Sequence, residues 1–181
     1  MQRLDGQLVL SPTDLTHHQE CAHLTRLDRG VAMGEWAAPD VETPEDVQFV
    51  FDRGLEHERK YLKSLKAAGK SVVEISGDSG AEGRRRAEAE TETVEAMSRG
   101  VDVVYQGTFL DGAWGGQADF LLRVDKPSPV FCDWSYEIAD TKLARKLKVA
   151  ALLQMATYAE RLTLLQGVAP ESIHVVTGDG E

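Results

Sequence analysis

Three stretches of this chain place charged groups where hydrophobic patterning asks for apolar ones. The first is Ile138-Ala139-Asp140-Thr141-Lys142, at the end of a strand-like run from Trp134. Side chains in a strand alternate with period two, so Tyr136, Ile138, Asp140 and Lys142 share one face. A carboxylate and an ammonium therefore follow two apolar residues on the side expected to be buried. The pattern reads either as a strand-end ion pair at a sheet rim or as a metal carboxylate beside a lysine. In the second case the lysine orients an attacking water and offsets charge growing on a phosphate.

The second stretch runs from Gly115 to Val124. Strict alternation points Phe120, Leu122 and Val124 at the core and sets Asp119 on the other face. The two glycines before Asp119 permit a bulge or a close backbone approach. Alone, Asp119 is a capping or solvated acid, but a neighbouring strand can carry it beside Asp140. Two carboxylates that close repel unless a divalent cation lies between them, and such an oxygen-rich site suits Mg²⁺ or Mn²⁺.

The third stretch is Arg53-Gly54-Leu55-Glu56-His57-Glu58. Gly54, His57 and Tyr61 fall on one helical stripe, with the glycine allowing a neighbour to come close. His57 is then either a satisfied, partly buried imidazole or a further metal ligand. Gln154 and Tyr158 sit four apart on an apolar helix, where a glutamine is costly to bury without a partner. Lys142, Arg145, Lys146 and Lys148 form a basic run, either a solvated helix start or a contact for a phosphate backbone. His17, His18, Cys21 and His23 lack the second Cys/His pair that a structural zinc site needs. No phosphate-binding glycine loop, serine elbow or H-E-x-x-H is present.

The elements that must position these residues follow from local signals. Ser11-Pro12-Thr13-Asp14 reads as a helix start, whose periodic face would hold Leu15, the His17/His18 pair, Cys21 and Leu24. Residues 34 to 44 read as a loop. Glu45 to about Ala68 is a long helix with Val47, Phe51, Leu55, Leu62 and Leu65 near helical spacing. Val72 to Ile75 is a short strand, residues 77 to 83 a turn, and Arg84 to Ser98 a polar helix with Ala87, Val94 and Met97 on its thin apolar face. Val103 to Leu110 and Trp114 to Val124 form a hairpin about Asp111-Gly112. A strand to Lys142, a helix from Leu147 to Leu165 and a strand at Ile173 to Val176 complete the order. The expected class is α/β, with helices on a mixed central sheet, divided into an N-terminal helical segment and loop (1–44) and a core (45–181).

The whole chain has 181 residues, 42% of them hydrophobic, which is too apolar for a disordered segment. No run reaches the ~20 apolar residues of a spanning helix, and the first residues do not read as a secretion signal. Two cysteines, Cys21 and Cys132, make no disulfide framework, so a cytoplasmic location is the default expectation. A net charge of -10 argues against indiscriminate coating of nucleic acid but not against an enzyme whose positive charge is local.

Taken together, the motifs resemble the RecB-like branch of the PD-(D/E)XK nuclease superfamily, which has a restriction-endonuclease-like core. In order they are G-x-x-H (Gly54 to His57), Asp119 after a hairpin, D-x-K (Asp140 to Lys142) and Q-x-x-x-Y (Gln154 to Tyr158). The opening LSPTDL, followed by Cys21, resembles the S-x-x-x-L…C start of the same group. The resemblance spans Leu10 to Val176 and is greatest to nuclease domains at the N-terminus of bacterial nuclease–helicase fusions. It implies that His57, Asp119, Asp140 and the Thr141 backbone carbonyl hold Mg²⁺ or Mn²⁺, and that Lys142 activates the water. It also implies that Gln154, Tyr158, Arg145 and Lys146 hold the substrate. The expected activity is metal-dependent, exonuclease-type hydrolysis of DNA phosphodiesters, on single strands or ends, with a helicase in repair, recombination or defence. A catalytically silent DNA-binding or docking module is the alternative. Ala118 stands where the superfamily name has proline. Iron–sulfur members hold a [4Fe–4S] cluster with one cysteine in the opening motif, where Cys21 fits, and three more after the core. This sequence therefore implies either a cluster-free variant or further cysteines beyond Glu181, and the expectation is a truncated core.

Overall fold

The computed structural model describes residues 1–4, 6–40, 42–75, 83–144 and 148–178, with backbone only for 83–85. Five strands form one mixed sheet: β3 (Val72–Glu74), β4 (Val103–Asp111), β5 (Trp114–Val124), β6 (Ser135–Lys142) and β7 (Ile173–Thr177), in that spatial order. The outer pairs β3–β4 and β6–β7 are parallel, and the inner pairs β4–β5 and β5–β6 are antiparallel. Parallel neighbours need a long connection. Here α4 (Gly83–Ser98) and α5 (Val149–Gln166) serve as the two crossovers, and α3 (Glu45–Ala67) precedes β3. An α/β fold with a mixed sheet between helices results. The hairpin loop is Gly112-Ala113, one residue later than the sequence suggests, because Asp111 still pairs with Trp114 and Gly112 takes the positive φ of 51°.

Before the sheet, β1 (Gln2–Leu4) and β2 (Gln7–Val9) make a small antiparallel hairpin, followed by α1 (Pro12–Glu20) and α2 (Ala22–Ala32). The single periodic helix expected across Cys21 is two helices. Cys21 adopts extended φ and ψ of -160° and 112°, caps both, and lies exposed together with His23. The Asp14 carboxylate explains the sharp start of α1. It accepts hydrogen bonds from Ser11 N–H (2.6 Å) and Ser11 Oγ (2.8 Å), completing a capping box, and it also pairs with the Met1 ammonium.

Helices cover both faces of the sheet. One core joins Met97 of α4 and Met155 and Leu162 of α5 to Val104, Leu121 and Ile138. A second, smaller one joins Leu62 of α3 to Val103, Phe120 and Ala139. On α4 the buried side is Ala89, Thr93, Ala96 and Met97, whereas Ala87 is exposed and Val94 only half-buried. The thin face expected there is therefore rotated, because Thr93 Oγ1 bonds back to Ala89 O (2.8 Å) and takes the Thr108 N–H (3.0 Å), and so suits an interior position. On α3 only the inner half packs. Val47, Phe51 and Leu55, expected on its buried stripe, are 38%, 58% and 48% exposed. Its spacing is sound, but its first half finds no core among the described residues. Gly54, expected at a close approach, meets nothing within 4 Å of where a Cβ would stand.

Strict alternation fails on β5. Ala118 and Leu121 lie in the same core, while Phe120 lies in the other. Between them, Asp119 is skipped by both neighbours. On one side the ladder passes from Tyr105↔Phe120 to Gly107↔Ala118, and the intervening Gln106 has φ of 58°. On the other side the ladder stops at Phe120↔Ala139, one step short of joining Asp119 to Asp140. The strands part at that step.

Candidate functional site

The parting of β5 and β6 leaves the two aspartates facing each other where backbone pairing would otherwise continue. Asp119 and Asp140 are hydrogen-bonded through their carboxyl groups. Burial, then the Asp140 carboxylate, then the charge of Glu58 push the Asp119 carboxyl up to about 8. Thr141 works in the opposite direction, donating to Asp119 Oδ2 from its N–H (3.2 Å) and its hydroxyl (3.4 Å). Asp140 is 5% exposed, and Lys142 Nζ stands 2.8 Å from its Oδ2. That close ion pair is poorly aligned, so Oδ2 has no hydrogen bond of sound geometry among the described residues. A buried carboxylate oxygen facing another carboxylate, with one lysine beside it, suits a divalent cation.

The α3 side supplies a second tier. Glu58 is buried at 8% exposure and accepts a hydrogen bond from Gln106 Nε2 (2.5 Å). It also bonds the Tyr105 hydroxyl, which burial first and Glu58 second push up to about 12. Glu58 occupies the apolar stripe of Leu55, Leu62 and Leu65, at i+3 and i+7 spacing, so a carboxylate on that stripe was the available signal for it. Gln106 gave no such signal, because only its positive φ turns it toward α3. His57, next along the helix, puts Nε2 3.1 Å from the Val176 carbonyl oxygen of β7, in the register pair of Thr141. A carbonyl only accepts, so Nε2 is the donor in this contact.

Other expected residues fall in three groups. Gln154 and Tyr158 meet: the tyrosine hydroxyl bonds the Gln154 side chain and the Gln117 backbone, and burial raises its pKa. Arg145 and Lys146 lie outside the described residues. Cys21 and Cys132 are exposed free thiols, and two cysteines cannot supply a four-cysteine cluster.

Among the described residues, one trio of His, Cys or acidic ligand atoms lies within 4.8 Å of one another, namely Asp14, His17 and Asp28. His57, Asp119 and Asp140 are therefore not drawn together as a trio. The Asp14 carboxylate is already occupied by Ser11 and the Met1 ammonium, and His17 Nδ1 by Asp28 at 3.1 Å. That cluster is accounted for by capping and ion pairing.

Beside the dyad, between α1 and α5, opens a cleft of about 290 Å³ lined by Thr13, Thr16, Lys142, Lys148 and Gln154. A larger apolar cleft of about 360 Å³ lies across α1, between Leu15, Trp114, Tyr158 and Leu164. The smaller cleft is the one that touches the proposed chemistry. Among the described residues no helix is long and apolar enough to cross a membrane. No family model matches the chain, and neither a curated protein nor a solved structure matches it.

Proposed function

We propose that the protein is a divalent-metal-dependent deoxyribonuclease with a restriction-endonuclease-like core. One observation carries this reading: Asp119, Asp140 and Lys142, picked out from separate stretches of sequence, converge where β5 and β6 separate. The fit of Mg²⁺ or Mn²⁺ rests on the donor set, two adjacent buried carboxyl groups with a single lysine beside them and an Asp140 oxygen that makes no hydrogen bond among the described residues. Asp119 and Asp140 would hold the cation, with the Thr141 carbonyl as a further donor, while His57 stays on the Val176 carbonyl and is not gathered with them. Once bound, it would polarise a phosphodiester and lower the pKa of its water.

The chain's own groups do the rest. Lys142, held against Asp140 and one-third exposed, orients the attacking water and offsets charge developing on the phosphoryl oxygens. Thr141 fixes Asp119 in place through two hydrogen bonds. Gln154 lines the cleft in which the strand would rest, held from behind by the buried Tyr158 hydroxyl. The motif resemblance further supports single strands or ends as substrates, and a helicase partner in repair, recombination or defence.

The test is cleavage of end-labelled single-stranded DNA with Mn²⁺, comparing wild type with Lys142→Ala. Cutting by the wild type, lost in a folded variant, supports the reading, and equal cutting by both overturns it. The silent-module reading draws on His57, which is not gathered with the two aspartates. Metal-independent DNA binding without cleavage, unaffected by Asp140→Ala, would favour it.

A further inference from the structure

The first half of α3 stands bare. Residues 45 to 53 are all exposed, and none of them belongs to either core. A stretch that short is marginal as a helix in water unless an apolar face is laid against something. That face is present. Val47, Val50, Phe51, Gly54 and Leu55 follow i, i+3, i+4, i+7, i+8 spacing, and the same stripe runs on into Leu62 and Leu65, which do reach the sheet. Its four apolar side chains are between 38% and 59% exposed, a contiguous patch of the kind that marks an interaction surface. Gly54 is a notch in it, with open space where a Cβ would stand.

The charges beside the stripe point to what covers it. On one side Asp52 accepts from Gln48 Nε2 (3.0 Å) of its own helix. On the other, Asp46 and Arg53 lie two turns apart along a single flank. Asp46 has no ion pair among the described residues, and Arg53 has only Glu56 at 3.9 Å. When two such helices run antiparallel, this flank meets its own reverse, so Asp46 of each copy comes beside Arg53 of the other. With the two-fold axis at Val50 and Phe51, Val47 of each copy faces the Gly54 notch of the other. The stripe is complementary to itself in both charge and shape.

We infer that the first half of α3 is a self-association surface, on which two copies of the chain pair α3 against α3, antiparallel, through Val47, Val50, Phe51 and Leu55. Four half-exposed side chains per copy make a contact at the small end of specific interfaces, below ~1,200 Å² in total. The dimer therefore forms and parts with concentration. The inference does not depend on the nuclease reading.

Sedimentation velocity of the full chain across the micromolar range tests it. The wild type passes from monomer to dimer as concentration rises, and Phe51→Glu stays monomeric. Phe49, 64% exposed but on the opposite side of the helix, is the control: Phe49→Glu dimerises like the wild type. Asp46→Arg and Arg53→Asp each raise the dimer Kd about tenfold, because two exposed ion pairs become two like-charge contacts. An equimolar mixture of those two variants pairs with the wild-type Kd, since every flank contact is then again between opposite charges. A wild type that remains monomeric overturns the inference, whatever other protein the stripe might hold. Equal loss in Phe49→Glu and Phe51→Glu also overturns it, by showing unspecific apolar adhesion. Charge variants that the mixture does not rescue overturn the antiparallel pairing. All the substituted side chains are exposed, so each variant keeps the circular dichroism of the wild type.

Discussion

Strand β6 carries two buried carboxylates three residues apart, and they are treated in opposite ways. Glu137, 7% exposed, accepts from Ser172 N–H (3.1 Å) and sits 2.6 Å from His174 Nε2. Asp140, 5% exposed, faces another carboxyl and one misaligned ammonium. Both are flanked by β7, so depth within the sheet does not separate them. What separates them is the neighbour on the other side. Around Glu137 the β5–β6 ladder is intact, with Leu122 paired to it, whereas at Asp140 the ladder has just ended. A buried acid that is fully partnered holds a fold together; one set against its own kind costs stability that a ligand can return.

The widest separation between the two acids should appear in rate. Asp140→Asn keeps the side-chain volume but removes a charged ligand, so Mn²⁺-dependent cleavage falls by more than the roughly 10–100-fold typical of an outer partner. Glu137→Gln retains cleavage, and equal losses in the two variants would erase the distinction. Next in size is metal-linked stability. Mn²⁺ at a hundred times its dissociation constant adds about 2.7 kcal/mol to the wild type. Melting curves with and without Mn²⁺ should show that gain in Glu137→Gln and not in Asp140→Asn.

Glu137→Ala tests the structural half of the contrast. It strips the Ser172 N–H and His174 of their partner and should cost about 1–3 kcal/mol in denaturant unfolding. The pH response of metal-free protein tests the carboxyl pair itself. Burial first and Asp140 second push the Asp119 carboxyl in the folded state from the ordinary 3.8 up to about 8. Between those values the folded state holds the extra proton, so stability falls as pH rises through the window. Asp119→Asn removes that fall, and the melting temperatures of the two proteins at pH 5 and pH 9 in EDTA measure it. A wild type no more pH-sensitive than the variant would contradict the buried like-charge pair.

Much of this was legible locally. The long α3, the β4–β5 hairpin, the strand ending at Lys142 and the apolar α5 were all recoverable, because spacing, turn residues and breakers act over a few neighbours. Gly69 and Gly167, just past α3 and α5, take φ of 78° and 74°, the left-handed turn that ends a helix. Other features were not legible. The exposure of Phe51 and Leu55 depends on what packs against α3, and the break at Cys21 separates two stretches that each read as helical. Glu58 stood in plain view as a carboxylate on an apolar stripe, but its partner Gln106 required a twist in β4 that no motif announces.

The site divides along the same line. The residue types, with Asp119 behind two glycines and Asp140 and Lys142 at the end of β6, are properties of the linear chain, since period-two patterning and glycine placement already mark them. Their meeting is not. It arises because β5 leaves both ladders at Asp119, through the positive φ of Gln106 on one side and the end of pairing at Phe120↔Ala139 on the other. Those are contacts between segments far apart in sequence, and their geometry is set by packing of the whole sheet between α3 and α5.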